Sequence, residues 1–199
     1  MASEPQRSLN NGVEENMMGV LALEPDALLM TQVRAGDSAS FATLLNRHRL
    51  AVTNFLNRMV QNRAVAEELA QDVFLRVYRS RGTYEPTARF KTWLFRIASH
   101  RALNWLRDEH VRQSSDDFSD IRDRRPNAET RLLQEVRLEE VRRAIRRLPE
   151  KQRAAVLMHK YQEMEYAEIA EVLGCSESAL KSLLFRAYET LREQLAQYA

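Results

Sequence analysis

The chain has 199 residues, 44% hydrophobic and 29% charged, with a formal net charge of only +2, enough apolar content for one ordinary core or two small ones. No run of about eighteen apolar residues occurs, so no membrane insertion is expected, and a single cysteine, Cys175, leaves no intramolecular disulfide and no cysteine-based zinc site. Five glycines and five prolines are too few for an all-β fold built on tight turns, which leaves an all-α protein, expected to be cytoplasmic.

Residues 1–24 carry Asn10-Asn11-Gly12, no sustained periodicity and no basic segment leading into an apolar one, so they read as a disordered arm without a secretory signal. Pro25 suits the first turn of a helix, with Asp26 adding negative charge near its positive end. Leu28, Leu29 and Val33 mark its apolar face, and Gly36-Asp37 ends it. Phe41, Leu44, Leu45, Val52, Phe55 and Leu56 recur at helical spacing and predict a second helix. A third, over 64–78, follows through Leu69, Val73, Phe74 and Val77. Residues 81–86, Arg-Gly-Thr-Tyr-Glu-Pro, read as a loop. A fourth helix over 90–106 places Phe90, Leu94, Ile97, Ala98, Trp105 and Leu106 near one stripe.

Residues 112–128 then turn polar and charged and lose apolar period, as expected of a linker. Beyond it, a helix over 133–148 stops at Pro149, and shorter ones cover 151–161, 166–173 and 176–195. The expected organisation is two small helical domains, 25–111 and 129–199, on a flexible tether.

Charge is local rather than global. Of 30 basic residues 26 are arginines, whose planar fork suits phosphate and carboxylate. Between Arg76 and Arg112 nine bases face three acids, a net +6, whereas just upstream Arg63 meets Glu67, Glu68 and Asp72. Seven of the fifteen aromatics fall between Phe74 and Trp105, a span that overlaps this basic stretch: Phe74, Tyr78, Tyr84, Phe90, Trp93, Phe95 and Trp105. Rings beside cations are what unpaired bases require. Phe74, Phe90, Trp93 and Trp105 are expected mainly in the core, and Tyr84, in the loop, is the better stacking candidate.

Residues 166–185 fit a helix-turn-helix position by position. Ala170 is small where two helices cross, and Gly174 permits a left-handed turn. Ile169, Leu173, Leu180 and Leu183 are expected to face the shared core. Ser176 can cap the second helix, with Glu177 adding charge to that N-terminus. The exposed face would carry Glu177, Ser178, Lys181, Ser182 and Arg186 into a DNA major groove.

The order of these segments is itself informative. Ala66-Glu-Glu-Leu-Ala-Gln-Asp-Val-Phe-Leu-Arg-Val-Tyr78, Phe90-Lys-Thr-Trp-Leu-Phe-Arg-Ile-Ala98 and Asn104-Trp-Leu-Arg107 resemble the second region of bacterial sigma factors. Leu148-Pro-Glu-Lys-Gln-Arg-Ala-Ala-Val-Leu157 and the helix-turn-helix resemble the fourth. The resemblance covers 26–110 and 130–195 with no third region between, the arrangement of the extracytoplasmic-function (ECF, group four) sigma factors. It implies a non-enzymatic, cofactor-free promoter-recognition subunit with core RNA polymerase (clamp helices and flap), promoter DNA and an anti-sigma factor as partners. By position it assigns polymerase docking to Glu67, Glu68, Gln71, Asp72 and Phe74. The minus-ten element falls to Tyr84, Arg89, Lys91, Arg96, His100, Arg101, Asn104 and Arg107. The minus-thirty-five duplex falls to Ser176, Glu177, Ser178, Lys181, Ser182 and Arg186.

The chain also departs from the family's pattern. His100 stands where many relatives have Asn, Ala179 replaces a frequent Thr, and Leu183 and Tyr188 occupy positions that are often Arg. A weaker isolated grip on duplex DNA is therefore expected, raised when polymerase tethers both domains. The four histidines (His48, His100, His110, His159) lack metal-ligand spacing, no catalytic motif appears, and Cys175 reads as a small apolar filler. Arg142, Arg143, Arg146 and Arg147 are either a solvated face or a contact for DNA backbone or an acidic partner. Two other functions remain open from sequence, a stand-alone helix-turn-helix regulator and an interaction protein that sequesters an anti-sigma factor.

Overall fold

The structure, a computed structural model, describes residues 24–85, 89–113 and 129–196. Among these the chain forms eight α-helices and no strand: α1 Pro25–Arg34, α2 Ser38–Val60, α3 Arg63–Arg79, α4 Phe90–Gln113, α5 Glu129–Arg147, α6 Glu150–Tyr161, α7 Tyr166–Leu173 and α8 Glu177–Leu195, with a 3₁₀ turn at Ser80–Thr83. The breaks are chemical. Pro25 opens α1, and the Asp37 carboxylate accepts the Ala39 N–H at 2.9 Å to start α2. Gln61 ends α2 in the left-handed region at φ 62°, and Asn62 then caps α3 by accepting the Val65 N–H at 3.2 Å. The expected arm and linker lie outside the described residues except at their edges. At those edges α4 runs on through Gln113, and Glu24 is part of the fold.

In the first half α2 is the central post, with α1, α3 and α4 packed on it. Its buried stripe, Leu44, His48, Val52, Phe55, Leu56 and Met59, keeps the spacing of three and four that one helical face demands. Phe55 meets Phe95 of α4 edge-on at 5.3 Å between centroids. The ends of the elements are tied by charge. Asp26, 5% exposed, pairs with His48 Nε2 at 2.6 Å and with the Arg47 guanidinium. Glu24 accepts the Phe90 N–H at 3.0 Å, so the residue before α1 caps the start of α4. Sequence reading gave Asp26 only a dipole role and assigned Glu24 to a loose arm; the tertiary pairings explain why both are held.

In the second half α6, α7 and α8 surround Val156, Leu157, Met158, Ile169, Leu180, Leu184 and Ala187. The helix-turn-helix turn is as expected: Gly174 has φ 63°, the Cys175 N–H reaches back to the Ala170 carbonyl at 3.0 Å, and Ser176 Oγ accepts the Ala179 N–H at 3.2 Å. Of the four residues expected to face the shared core, Ile169 and Leu180 are enclosed and Leu173 and Leu183 pack half-buried at its edge; on α8 the enclosed stripe is Leu180, Leu184 and Ala187, at i, i+4 and i+7.

The halves do not hang apart. Helices α2 and α4 pack directly against α6 and α7, and the buried residues of both halves join into one continuous apolar cluster. Arg153 of α6 donates to the Met59 carbonyl at 2.6 Å, satisfying a carbonyl in the last turn of α2 from across the seam. Burial pushes its guanidinium below the ordinary arginine value, with Glu150 acting the other way.

Asp26→Ala should cost about 2–4 kcal/mol of folding free energy, read by urea unfolding, since it strands a buried imidazole and releases Arg47. A loss within the scatter of exposed-site substitutions would mean that the pairings do not hold α1 in place.

Candidate nucleic-acid and protein-binding faces

Helix α3 presents two faces with different chemistry. Ala66, Leu69, Ala70, Val73, Phe74 and Val77 turn inward; Glu67, Glu68, Gln71 and Leu75 turn to solvent. The five residues expected to dock a protein partner therefore separate. Glu67, Glu68 and Gln71 are exposed, Asp72 is half-buried, and Phe74 is core at 6% exposure. Phe74 cannot meet a partner directly, because it shares the helical phase of Ala70 and Val77. The apolar group that does face outward is its neighbour Leu75, 52% exposed, which the same phase argument could have found in the sequence.

Asp72 is the hinge between the acidic and basic segments. Its carboxylate lies 3.0 Å from Arg76 Nε on α3 and 2.5 Å from Arg101 Nε on α4. Partial burial opposes ionisation, but the two guanidiniums prevail and hold its pKa below the usual carboxylate value. Arg101 is thus engaged inside the fold rather than free on the basic face.

The other minus-ten candidates also sort by position. Arg96, His100 and Arg107 are exposed along one strip of α4, with Asn104 half-buried among them and its Nδ2 3.3 Å from His100 Nδ1. Their spacing of four, four and three makes that strip a single face. At the start of the helix the geometry differs. Arg89 lies 3.6 Å from Glu168 of α7, and the half-buried Lys91 ammonium donates to the Gln162 carbonyl.

Tyr84 departs from expectation. It is 2% exposed, with its ring against Trp93 at 5.1 Å and Phe90 at 6.2 Å, so it completes the aromatic core above α4 instead of presenting a stacking face. Burial, with Glu24 and Asp26 nearby, raises its phenol pKa to about 12. Where a loop was expected over 81–86, Ser80–Thr83 form a 3₁₀ turn, Pro86 lies outside the described residues, and the Tyr84 ring packs onto α4. Trp93 and Trp105 are half-buried against the same core, while Phe90 is enclosed.

On α8, Ser176, Glu177, Ser178, Lys181, Ser182 and Arg186 are all exposed. Ser182 Oγ donates to the Ser178 carbonyl at 3.1 Å and Arg186 Nε to the Ser182 carbonyl at 3.3 Å. Lys181, Ser182, Phe185 and Arg186 line an open depression, and Phe185 is 66% exposed, an apolar contact that the core pattern did not single out. Tyr188 turns inward instead, its hydroxyl 2.8 Å from His159 Nδ1. On α5, Glu139 and Glu140 pair with Arg142, Arg143 and Arg146, which favours a solvated, internally compensated face. Among the described residues no group of acids, histidines and cysteine could hold a metal ion, and no helix is long and apolar enough to cross a membrane.

Comparison with known proteins gives the same two blocks. The family described as sigma-70 region 2 matches residues 44–112, and that described as sigma-70, region 4 matches 138–191. The chain is 37% identical over 171 residues to the RNA polymerase sigma factor CarQ of Myxococcus xanthus, spanning 84% of this chain and 96% of the relative. It is 30% identical over 176 residues to the ECF RNA polymerase sigma-E factor of Escherichia coli K12, spanning 83% and 92%. The fold resembles CnrH, solved with the cytosolic domain of CnrY (TM-score 0.69, 22% identity, 88% of this chain and 100% of that one). It also resembles RpoE of Bartonella quintana, solved with the anti-sigma factor NepR (TM-score 0.64, 22% identity, 78% and 96%).

Because its pKa is lowered on folding, Asp72 stabilises the protein above the ordinary carboxylate value, and that contribution is lost as pH falls through the lowered one. Asp72→Asn should cost about 1 kcal/mol at pH 7. The difference from the parent chain should shrink as pH falls through the lowered value and vanish once the carboxylate is protonated in both states. A deficit that persists in acid would assign the residue a packing role instead.

Proposed function

The chain belongs to the sigma-70 family, as an alternative sigma factor of the extracytoplasmic-function kind that directs transcription initiation, and within that role we propose which of its faces meet polymerase and which meet promoter DNA. Glu67, Glu68, Gln71 and Leu75 form the docking face for core RNA polymerase. An acidic surface with one apolar contact suits a basic helical partner, and Asp72 orients that face through Arg76 and Arg101. Arg96, His100, Asn104 and Arg107 read the melted minus-ten strand, where cations hold the backbone and the imidazole and amide meet base edges. Lys181, Ser182 and Arg186, with Ser178, read the minus-thirty-five duplex from the major groove, and Ser176 and Glu177 set the start of that helix.

The observation that carries this assignment is the pairing, in one chain, of a single exposed polar strip on α4 with a second on α8, each in the segment matched to its own sigma region. A protein that bound duplex DNA alone would need only the second. On this reading the polypeptide works in the cytoplasm and contributes recognition and strand separation, while the chemistry of RNA synthesis stays with polymerase. An anti-sigma factor belongs among its partners, as NepR does for RpoE of Bartonella quintana.

Transcription from a genomic template library by purified chain and core polymerase tests the whole reading: transcripts should start at positions sharing two spaced sequence elements. Lys181→Ala and Arg186→Ala should each weaken the upstream element by about 1–3 kcal/mol with the downstream element unchanged. Glu68→Ala with Gln71→Ala should lower affinity for core polymerase while leaving the circular dichroism spectrum intact. Phe74→Ala should instead destabilise the fold by about 3–5 kcal/mol. Loss of polymerase binding on Phe74→Ala with full stability would return that ring to the docking face.

A further inference from the structure

Two kinds of contact hold α8 in place. Leu180, Leu184 and Ala187 form its enclosed stripe, and Leu183 and Leu191 pack half-buried beside it. Apolar contacts of this sort are non-directional, so they keep the helix on the core without fixing its rotation. A directional contact is supplied by Tyr188, whose hydroxyl lies 2.8 Å from His159 Nδ1 of α6. Ser182, Arg186 and Thr190, by contrast, bond carbonyls of α8 itself. The same imidazole lies 5.2 Å from the ring of Tyr166, the first residue of α7, and the Lys160 ammonium sits 5.7 Å from the centre of the Tyr188 ring. One side chain therefore joins α6, α7 and α8. Tyr188 stands seven residues beyond Lys181, two turns along nearly the same face of α8. What fixes the rotation of one fixes the rotation of the other.

We propose that His159 and Tyr188 are positioning residues for promoter reading: their hydrogen bond fixes the rotation of α8, and with it the aim of Lys181, Ser182 and Arg186 at the upstream duplex, and protonation of His159 loosens it. This rests on the functional assignment above and adds how that face is held. Side chains that read base edges must be placed to within about 0.5 Å and 10–20°. A helix free to turn on apolar contacts loses selectivity before it loses binding. Burial, with Tyr166 beside it, raises the Tyr188 phenol and keeps its hydroxyl protonated. Burial and the Lys160 ammonium lower His159 below its ordinary value, and Glu165 opposes them. The groups facing the imidazole are thus Lys160 on its own helix, Glu165 and Tyr166 where α7 starts, and Tyr188 on α8. The packed arrangement favours the neutral ring, whose Nδ1 accepts the phenol proton. A charged ring is better solvated away from the pair. The tie is therefore intact above the ordinary histidine value, weakens as pH falls below it, and levels off beneath the lowered one.

The test uses the full chain with core polymerase and two templates that share a downstream element. One carries the upstream element found by transcription of the genomic library, and the other has it scrambled. The ratio of initiation rates reports upstream reading, and titration of His100 or of polymerase cancels in it. For the parent chain the ratio should be steady above about pH 7 and fall as pH drops through the ordinary histidine range. Tyr188→Phe, which removes only the hydroxyl, should lower the ratio about two- to tenfold at neutral pH and flatten its pH dependence. His159→Asn keeps an acceptor near the Nδ1 position but cannot titrate, so it should hold a ratio near the parent's and also flatten the profile. An unchanged ratio in Tyr188→Phe, or the parent's pH profile surviving in both variants, overturns the proposal. If the parent chain shows no upstream preference at any pH, the assignment of function fails instead, and the tie is read by NMR. The Lys181, Ser182 and Arg186 amide resonances should then shift as His159 titrates in the parent chain and stay fixed in Tyr188→Phe, and equal shifts in both chains overturn it.

Discussion

Helix α4 is buried on more than one side, and that constraint organises the molecule. Phe90, Leu94, Phe95, Ala98, Ala102 and Leu106 are all enclosed, as are Thr92 and Ser99, which lie off that stripe. A helix with a single apolar stripe is satisfied by one layer of neighbours; one whose enclosed residues spread around its axis needs a second. The first layer is α2 and α3, and the second is α6 and α7 from the far part of the chain. Between Phe90 and Arg107 the exposed positions are Arg96, His100 and Arg107. The exposed face is narrow because so much of the helix is used for cohesion.

Charge then decides which cations are free. Arginine is abundant between Arg76 and Arg112, yet several of these side chains have an acidic neighbour: Arg76 and Arg101 share Asp72, and Arg89 faces Glu168. Abundance in sequence is therefore a poor count of what can grip a polyanion. Asp72 occupies its cations from the middle of α3, whereas Glu168 acts at a helix start, where one group can serve both the terminus and a cation. Glu168 at the start of α7 does both, and Glu24 caps the start of α4.

For a sigma factor this arrangement has a functional logic. The two exposed strips proposed to read DNA sit on different helices, α4 and α8, in halves that share one core. Promoter elements are spaced along DNA, so engaging both at once is a matter of where each half is held as well as of what each contacts.

Much of this was legible in the amino-acid sequence. Element order, the caps at Pro25 and Ser176, the left-handed Gly174 and the membership of the two sigma regions follow from interactions within a turn or two of each residue, or from motif spacing, and both are properties of the chain read locally. The phase of α3 was also readable, so the inward turn of Phe74 and the outward turn of Leu75 were there to be found. Only the tertiary structure decided the fate of Tyr84, the capture of Arg89 and Lys91, and the role of Glu24. Their partners come from afar in the chain, sixty-six residues for Glu24 with Phe90 and seventy-six for Thr92 with Glu168. No periodicity encodes a contact between segments that far apart, because it exists only once two independently formed helices bury the same surface.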